Sequence, residues 1–394
     1  MKKILAMMLT AAMMLSMGTA AMAANLGEND EILTQPTVNE KGESEYQDAY
    51  YVEIKKTYIA IDSDTTITDD SGAERSVVSP KETFTFTAFT PAAEVEGNDE
   101  AEFPSTLPSI VSIEATEGDA VADPGKTYTT KITLPEYTEV GIYKYTFKEN
   151  NNDYQGVTYY DKEMTLVVTV VQEGTKVRVA AVHCESPVDP SYPEKEGDTT
   201  GNKTDTFTNT YEAGDISIKK VLDGNMAEKD QYFTVKVTIA DGNDGDTIHS
   251  TITSNASELS YSGTETDVNP ETLVVGVNTF KIKGEETIEI YNLPVGATYT
   301  VEEVEANANG YTTTYTLDDA NVTAAEGETV VVVSGEIGED SDNGTDDVIV
   351  ITNTKTSNVD TGISVDSIPY LAMLGVVAVG GAGVVVSKKR RSED

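Results

Sequence analysis

The chain has 394 residues, 38% of them hydrophobic, with 68 acidic residues against 27 basic ones and a formal net charge of −41. That length suggests two or three domains, and the apolar content is enough for real cores. So acidic a surface repels nucleic acid and anionic membrane, which excludes both as expected partners. Cys184 is the only cysteine, so no internal disulfide is expected in an exported protein of this kind.

In chain order, Lys2 and Lys3 precede a mostly apolar run from Ile4 to Met17 and the small-residue ending Ala21-Met22-Ala23. This predicts a secretory signal peptide over 1–23, cleaved after Ala23. Residues 24–47 are acidic and polar with no periodicity, which predicts a flexible leader. From there Thr, Val, Tyr, Gly and Asp dominate and no long segment has helical periodicity, so the expected class is all-β.

The first alternating stretch places Val52, Ile54 and Lys56 on one face, a lysine in line with two core residues. Tyr143, Tyr145 and Phe147 then lead to Glu149, and Phe207 leads to Asn209 in TFTNTY. After the short joint Glu212-Ala213-Gly214 the pattern returns: Ile216, Ile218 and Lys220, then Tyr299, Val301 and Glu303, then Ile351 and Asn353. The order Lys, Glu, Asn recurs with separations of 93 and 60 residues in the first copy and 83 and 50 in the second. Each triad thus runs from the first strand through a middle strand to the last strand of a domain of Ig-like size. The predicted architecture is two tandem Ig-like β-sandwiches, over 48–212 and 213–356.

Taken singly, a strand-end lysine usually snorkels to water and an asparagine before a turn usually shapes the turn. The repeated order and matched phase argue otherwise, because three polar groups buried together are costly unless paired or reacted. An amine buried among aromatic side chains loses its proton more easily and becomes a nucleophile. It can attack the asparagine carboxamide, with the glutamate relaying a proton to departing ammonia. The product is an intramolecular amide, formed once and without turnover. Lys55 and Lys219 are rivals to Lys56 and Lys220, since a β-bulge would exchange the faces.

VEIKK, GIYKYTFKE and TFTNTY resemble the isopeptide-linkage domain of streptococcal-type major pilins. DISIKK, LPVGATYTVEE and VITNTK resemble the collagen-adhesin B-type domain that follows it in those proteins. The resemblance implies isopeptide bonds from Lys56 to Asn209 with Glu149 as proton relay, and from Lys220 to Asn353 with Glu303. At the C-terminal end, Asn358-Val359-Asp360-Thr361-Gly362, the apolar run 368–386 and Lys388-Lys389-Arg390-Arg391 resemble a Gram-positive cell-wall sorting signal over 357–394. The run is long enough to span a bilayer with its basic flank inside. By resemblance, a sortase would cleave between Thr361 and Gly362 and join the Thr361 carboxyl to an amine. The pentapeptide begins Asn-Val where the commonest form begins Leu-Pro, which leaves the sortase class open.

The implied role is a pilus shaft subunit of a Gram-positive bacterium, secreted and wall-anchored. Its implied partners are a sortase, other copies of itself or other pilins, and peptidoglycan. No cofactor is implied. The lysine that accepts the polymerising bond is expected at Lys203 in Gly201-Asn202-Lys203, just ahead of the last strand of the first domain. Lys195, after Tyr192-Pro193-Glu194, is its rival. The alternative role is a monomeric wall-anchored adhesin that binds a host protein or glycan. Asp241-Gly-Asn-Asp-Gly-Asp246 does not follow the calcium-loop order, and His183 and His249 lack metal-ligand spacing, so no metal site is expected.

Overall fold

The computed structural model describes residues 50–60, 77–121, 124–187, 203–242, 245–323, 331–338 and 347–357, with four two-residue strands besides, at Thr37–Val38, Ser44–Glu45, Ile67–Thr68 and Glu74–Arg75. The expected signal peptide with Ala23, nearly all of the leader, Lys195, the Thr361–Gly362 junction and the span 368–386 lie outside the described residues. The regular secondary structure of the described residues is strand, apart from one 3-10 turn at Ala256–Glu258.

Six longer strands build the N-terminal half: β1 (Tyr51–Ala60), β2 (Lys126–Thr133), β3 (Gly141–Phe147), β4 (Met164–Glu173), β5 (Lys176–Glu185) and β6 (Thr206–Tyr211). One sheet has the order Val157–Thr158, β6, β1, β2, Ser109–Ile110, and the sheet facing it has the order β5, β4, β3, Thr90–Pro91. Strict alternation drives the packing. In β1 every second residue is buried, from Val52 and Ile54 through Lys56 and Tyr58 to Ala60. Ile54, Ile132 and Phe207 of one sheet meet Tyr143, Tyr145, Phe147, Leu166 and Val168 of the other in a shared core.

The C-terminal half repeats the plan with β7 (Ala213–Asp223), β8 (Phe233–Ala240), β9 (Gly276–Ile282), β10 (Thr287–Pro294), β11 (Thr298–Glu303), β12 (Thr312–Leu317) and β13 (Asp347–Thr354). Its larger sheet runs Thr272–Leu273, Ile252–Ser254, β10, β7, β13, β12, Ala320–Val322, against a sheet of β9, β8, β11 and Val333–Glu336. A separate core fills it, from Ile216 to Ile351.

In both halves the first strand lies beside the last, and the pair is parallel. Lys56 is opposite Phe207 and Tyr58 opposite Asn209 in β1 and β6. Lys220 is opposite Ile351 and Leu222 opposite Asn353 in β7 and β13. Inward lysine and inward asparagine are therefore same-face neighbours offset by two positions, with one register used twice. Every other strand pairing among these longer strands is antiparallel.

The halves are joined by polar contacts. Asn292 is buried in a left-handed conformation, φ 62°. Its Nδ2 donates to the Val78 and Thr251 carbonyls at 2.8 Å each, and its Oδ1 accepts from the Val78 N–H at 3.0 Å. Gln155, also buried, donates to the Val295 carbonyl and accepts from the Gly242 N–H, and the Tyr154 ring stacks on His249 at 3.9 Å. Replacing Asn292 with Ala removes these bonds and holds an alanine in a strained left-handed backbone. We expect a loss of about 2 to 4 kcal/mol, read as a lower urea midpoint, with Asn292→Gly losing less.

Candidate functional site

Each half holds a sealed cluster of one lysine, one glutamate and one asparagine. Lys56 and Asn209 are 0% exposed, Lys220 is 1% exposed and Asn353 is 0% exposed, and Glu149 and Glu303 are buried with them. Alternation in β1, β6, β7 and β13 aims the lysines and asparagines inward from one sheet. The glutamate closes the cluster from across the sandwich, Glu303 from within the facing sheet and Glu149 from the segment just beyond it.

Glu303 ends β11, in phase with Tyr299 and Val301. Glu149 differs from the sequence expectation of one continuous strand. β3 stops at Phe147, and Glu149 sits beyond it in an isolated bridge to Phe86. The chain has changed neighbours there, from Met164 beside Phe147 to the 84–87 segment, as the bond from the Thr87 N–H to the Lys148 carbonyl records.

In the first cluster Lys56 Nζ donates to both Glu149 oxygens, at 2.7 and 2.6 Å, and Asn209 Nδ2 donates to Oε1 at 2.7 Å. In the second, Lys220 Nζ donates to Glu303 Oε2 at 2.7 Å and Asn353 Nδ2 to Oε1 at 2.7 Å. One carboxyl thus touches both the amine and the carboxamide nitrogen that it could displace. Each ammonium also lies over an aromatic face, Lys56 over Phe84 and Lys220 over Phe233, both 4.6 Å from the ring centroid. Sequence reasoning expected aromatic surroundings but did not single out these two rings. The alternation of TFTF around Phe84 is the signal that could have found the first.

Burial dominates the electrostatics. It pushes the Lys56 amine down to about 8, although the neighbouring Glu149 pulls the other way. It lowers Lys220 for the same reason and raises Glu149. Both shifts move the first cluster toward a free amine beside a protonated carboxyl, the state in which Nζ can attack a carboxamide carbon and Glu149 can carry a proton to the leaving nitrogen. The fold holds these groups in place before any reaction, which substitutes for high concentration.

Lys55 and Lys219 lie on the opposite faces. Lys55 is half-buried and pairs with Asp205 at 3.0 Å, and Lys219 is exposed. Lys203 is half-buried and its backbone forms an isolated antiparallel β-bridge with Glu185 just before β6. Cys184 is a buried free thiol in β5 whose acidity burial weakens, to about 12. Asp241 accepts from the Ile248 N–H at 2.9 Å. Among the described residues no group of three or more His, Cys, Asp or Glu is placed to hold a metal ion.

The lowered Lys56 sets a pH dependence for Asn209→Ala, which keeps the amine and removes its target. The folded amine loses its proton near pH 8 and the unfolded one near 10.5, so between these values the unfolded chain binds more protons and stability rises with pH. We expect the urea midpoint of this variant to climb from pH 8 to about 9.5. Nearer pH 10 the buried tyrosines, Tyr143 pushed up to about 12 among them, reverse the trend. A flat or falling midpoint over pH 8 to about 9.5 would contradict the assigned burial of Lys56.

Comparison with known proteins follows the same division of the chain. Residues 52–212 match the family described as Spy0128-like isopeptide containing domain. Residues 214–336 match a domain of unknown function, so the collagen-adhesin B-type likeness of this half remains a resemblance of short motifs. A pilin of Streptococcus pyogenes serotype M1 is 26% identical over 266 residues, which is 66% of this chain and 72% of that protein. The solved major pilin (T-13) of Streptococcus pyogenes aligns at 20% identity over 78% of this chain and 98% of its own, with a TM-score of 0.46. A second Streptococcus pyogenes major pilin aligns at 19% identity over 79% and 100%, with a TM-score of 0.47. The chain is thus similar to a streptococcal pilin over two thirds of its length, and residues 52–212 match the isopeptide-containing domain family.

Proposed function

We propose that the protein is a structural pilus subunit at the bacterial surface, a shaft element rather than a turnover enzyme. Each half is a domain, over 48–212 and 213–356, closed by one isopeptide bond, Lys56–Asn209 and Lys220–Asn353. Glu149 and Glu303 relay the proton. The observation that carries the reading is the repeated register: in each half lysine and asparagine sit two positions apart on adjacent parallel strands, under one carboxyl from across the sandwich. A solvated strand-end lysine would not recur buried, in phase and paired in this way.

Assembly extends the same chemistry between subunits. The export signal ends at Ala23, a sortase cleaves between Thr361 and Gly362, and the Thr361 carboxyl is joined to Lys203 of the next subunit, with Lys195 as the rival acceptor. The last subunit is joined to peptidoglycan. Polymerisation with further pilin subunits is what the relatives' name supports. The sortase, the wall linkage and any host ligand rest on the sequence motifs.

The mass of the recombinant two-domain region should fall short of its sequence mass by two ammonia molecules, and Glu149→Ala or Glu303→Ala should each restore one. Full sequence mass in the parent would sink the bonds. Asn209→Ala should cost about 5 kcal/mol through the loop that the cross-link closes, seen as a lower melting temperature and faster proteolysis. For assembly, a denaturing gel of wall extract should show a ladder, and the branched peptide containing Thr361 should end on Lys203. A single band joined only to wall peptide would favour the monomeric adhesin.

A further inference from the structure

The two clusters differ at the atom where negative charge would develop. Asn209 Oδ1 accepts a hydrogen bond from the backbone N–H of Tyr160 at 2.9 Å. Asn353 Oδ1 is buried and has no hydrogen-bond partner among the described residues.

The Tyr160 donor is built in. Val157 and Thr158 pair antiparallel with Tyr211 and Thr210 at the edge of β6, which brings the following residues alongside Asn209. Both side chains flanking the 159–160 peptide are anchored. The Tyr159 hydroxyl donates to Glu82 Oε1, which also accepts from Asn152 Nδ2 at 2.9 Å. Glu82 is itself 2% exposed. The Tyr160 ring packs edge-on against Phe207 at 5.2 Å, and its hydroxyl is 2.7 Å from Ser186 Oγ. A donor fixed on both sides costs little reorganisation when charge appears.

Resting on the isopeptide reading above, we propose that the Tyr160 N–H is a one-donor oxyanion hole for the first bond, and that Lys56–Asn209 therefore closes faster than Lys220–Asn353. The Lys56 Nζ lone pair forms the new bond to Asn209 Cγ while the carbonyl pair moves onto Oδ1, held by Tyr160. One proton passes from Nζ to Nδ2 by way of the Glu149 carboxyl. The Cγ–Nδ2 bond breaks, ammonia leaves, and the Oδ1 pair re-forms the carbonyl. Glu82 and Tyr159 are positioning residues, acting only through the peptide they hold.

The test is cell-free translation of the full chain with the α-hydroxy analogue of tyrosine at position 160. This replaces the N–H by an ester oxygen and leaves the side chain unchanged. Samples quenched over time are digested, and the two cross-linked peptides are quantified separately, so the second bond serves as an internal clock. In the unmodified chain the Lys56–Asn209 peptide should lead. With the ester it should slow by about 100-fold relative to the clock, without change at Lys220–Asn353. Tyr159→Phe, which keeps the N–H but frees its anchor, should slow the first bond several-fold yet let it reach full yield, and it carries the test if the ester chain does not fold. An unchanged ratio of the two rates in the folded ester chain, or in Tyr159→Phe when the ester chain does not fold, overturns the oxyanion role. Absence of both cross-linked peptides from the unmodified chain overturns the isopeptide reading instead.

Discussion

A lysine ammonium sealed inside a β-sandwich must have its charge answered, since an unpaired buried ion costs several kcal/mol. Here one carboxyl answers it, and that carboxyl is already shared with a carboxamide. The geometry this demands reaches through the fold. Lysine and asparagine must come from neighbouring strands, in phase, and the glutamate must reach them from across the sandwich. The parallel placement of first and last strands meets the first demand, and the sandwich meets the second. The surrounding aromatic core supplies the low dielectric that makes the neutral amine accessible.

The two clusters show how much of such a site can vary. The ring under the lysine comes from a short strand, Glu82–Phe84, in one half and from the long β8 in the other. The glutamate ends a strand in one and follows it in the other. Constant throughout are the two-position offset and the shared carboxyl. These fix the distance between reacting groups, whereas the supports beneath can come from any element that presents a flat apolar face.

Much of this was legible in the sequence because alternation by two is unambiguous where polar and apolar residues share a face. Lys56 after Val52 and Ile54, and Asn353 after Ile349 and Ile351, are visible without a structure. The choice between Lys55 and Lys56 also rests on phase, and the unbroken alternation of β1 gives no bulge to invert it. What alternation cannot express is partnership between distant strands. The Phe84 and Phe233 platforms, the Tyr160 N–H and the buried Glu82 depend on which segment crosses which, and a backbone N–H leaves no mark in side-chain order. Asn292 escaped notice for a related reason: its role needs a left-handed φ and a partner 214 residues away.

The parallel pairing of β1 with β6 also has a consequence for damage. Where the Lys56–Asn209 bond is closed, two covalent routes join residue 56 to residue 209. One is the amide itself and the other is the main chain through β2 to β5. A protease cut anywhere on that longer route would open a loop and leave the molecule in one piece. Exposed turns such as the one at Gly174 could then be nicked without parting the filament. Only the short stretches between Lys203 and Thr361 that lie outside the bridged residues, the joint at Glu212–Gly214 among them, would be points where a single cut severs it.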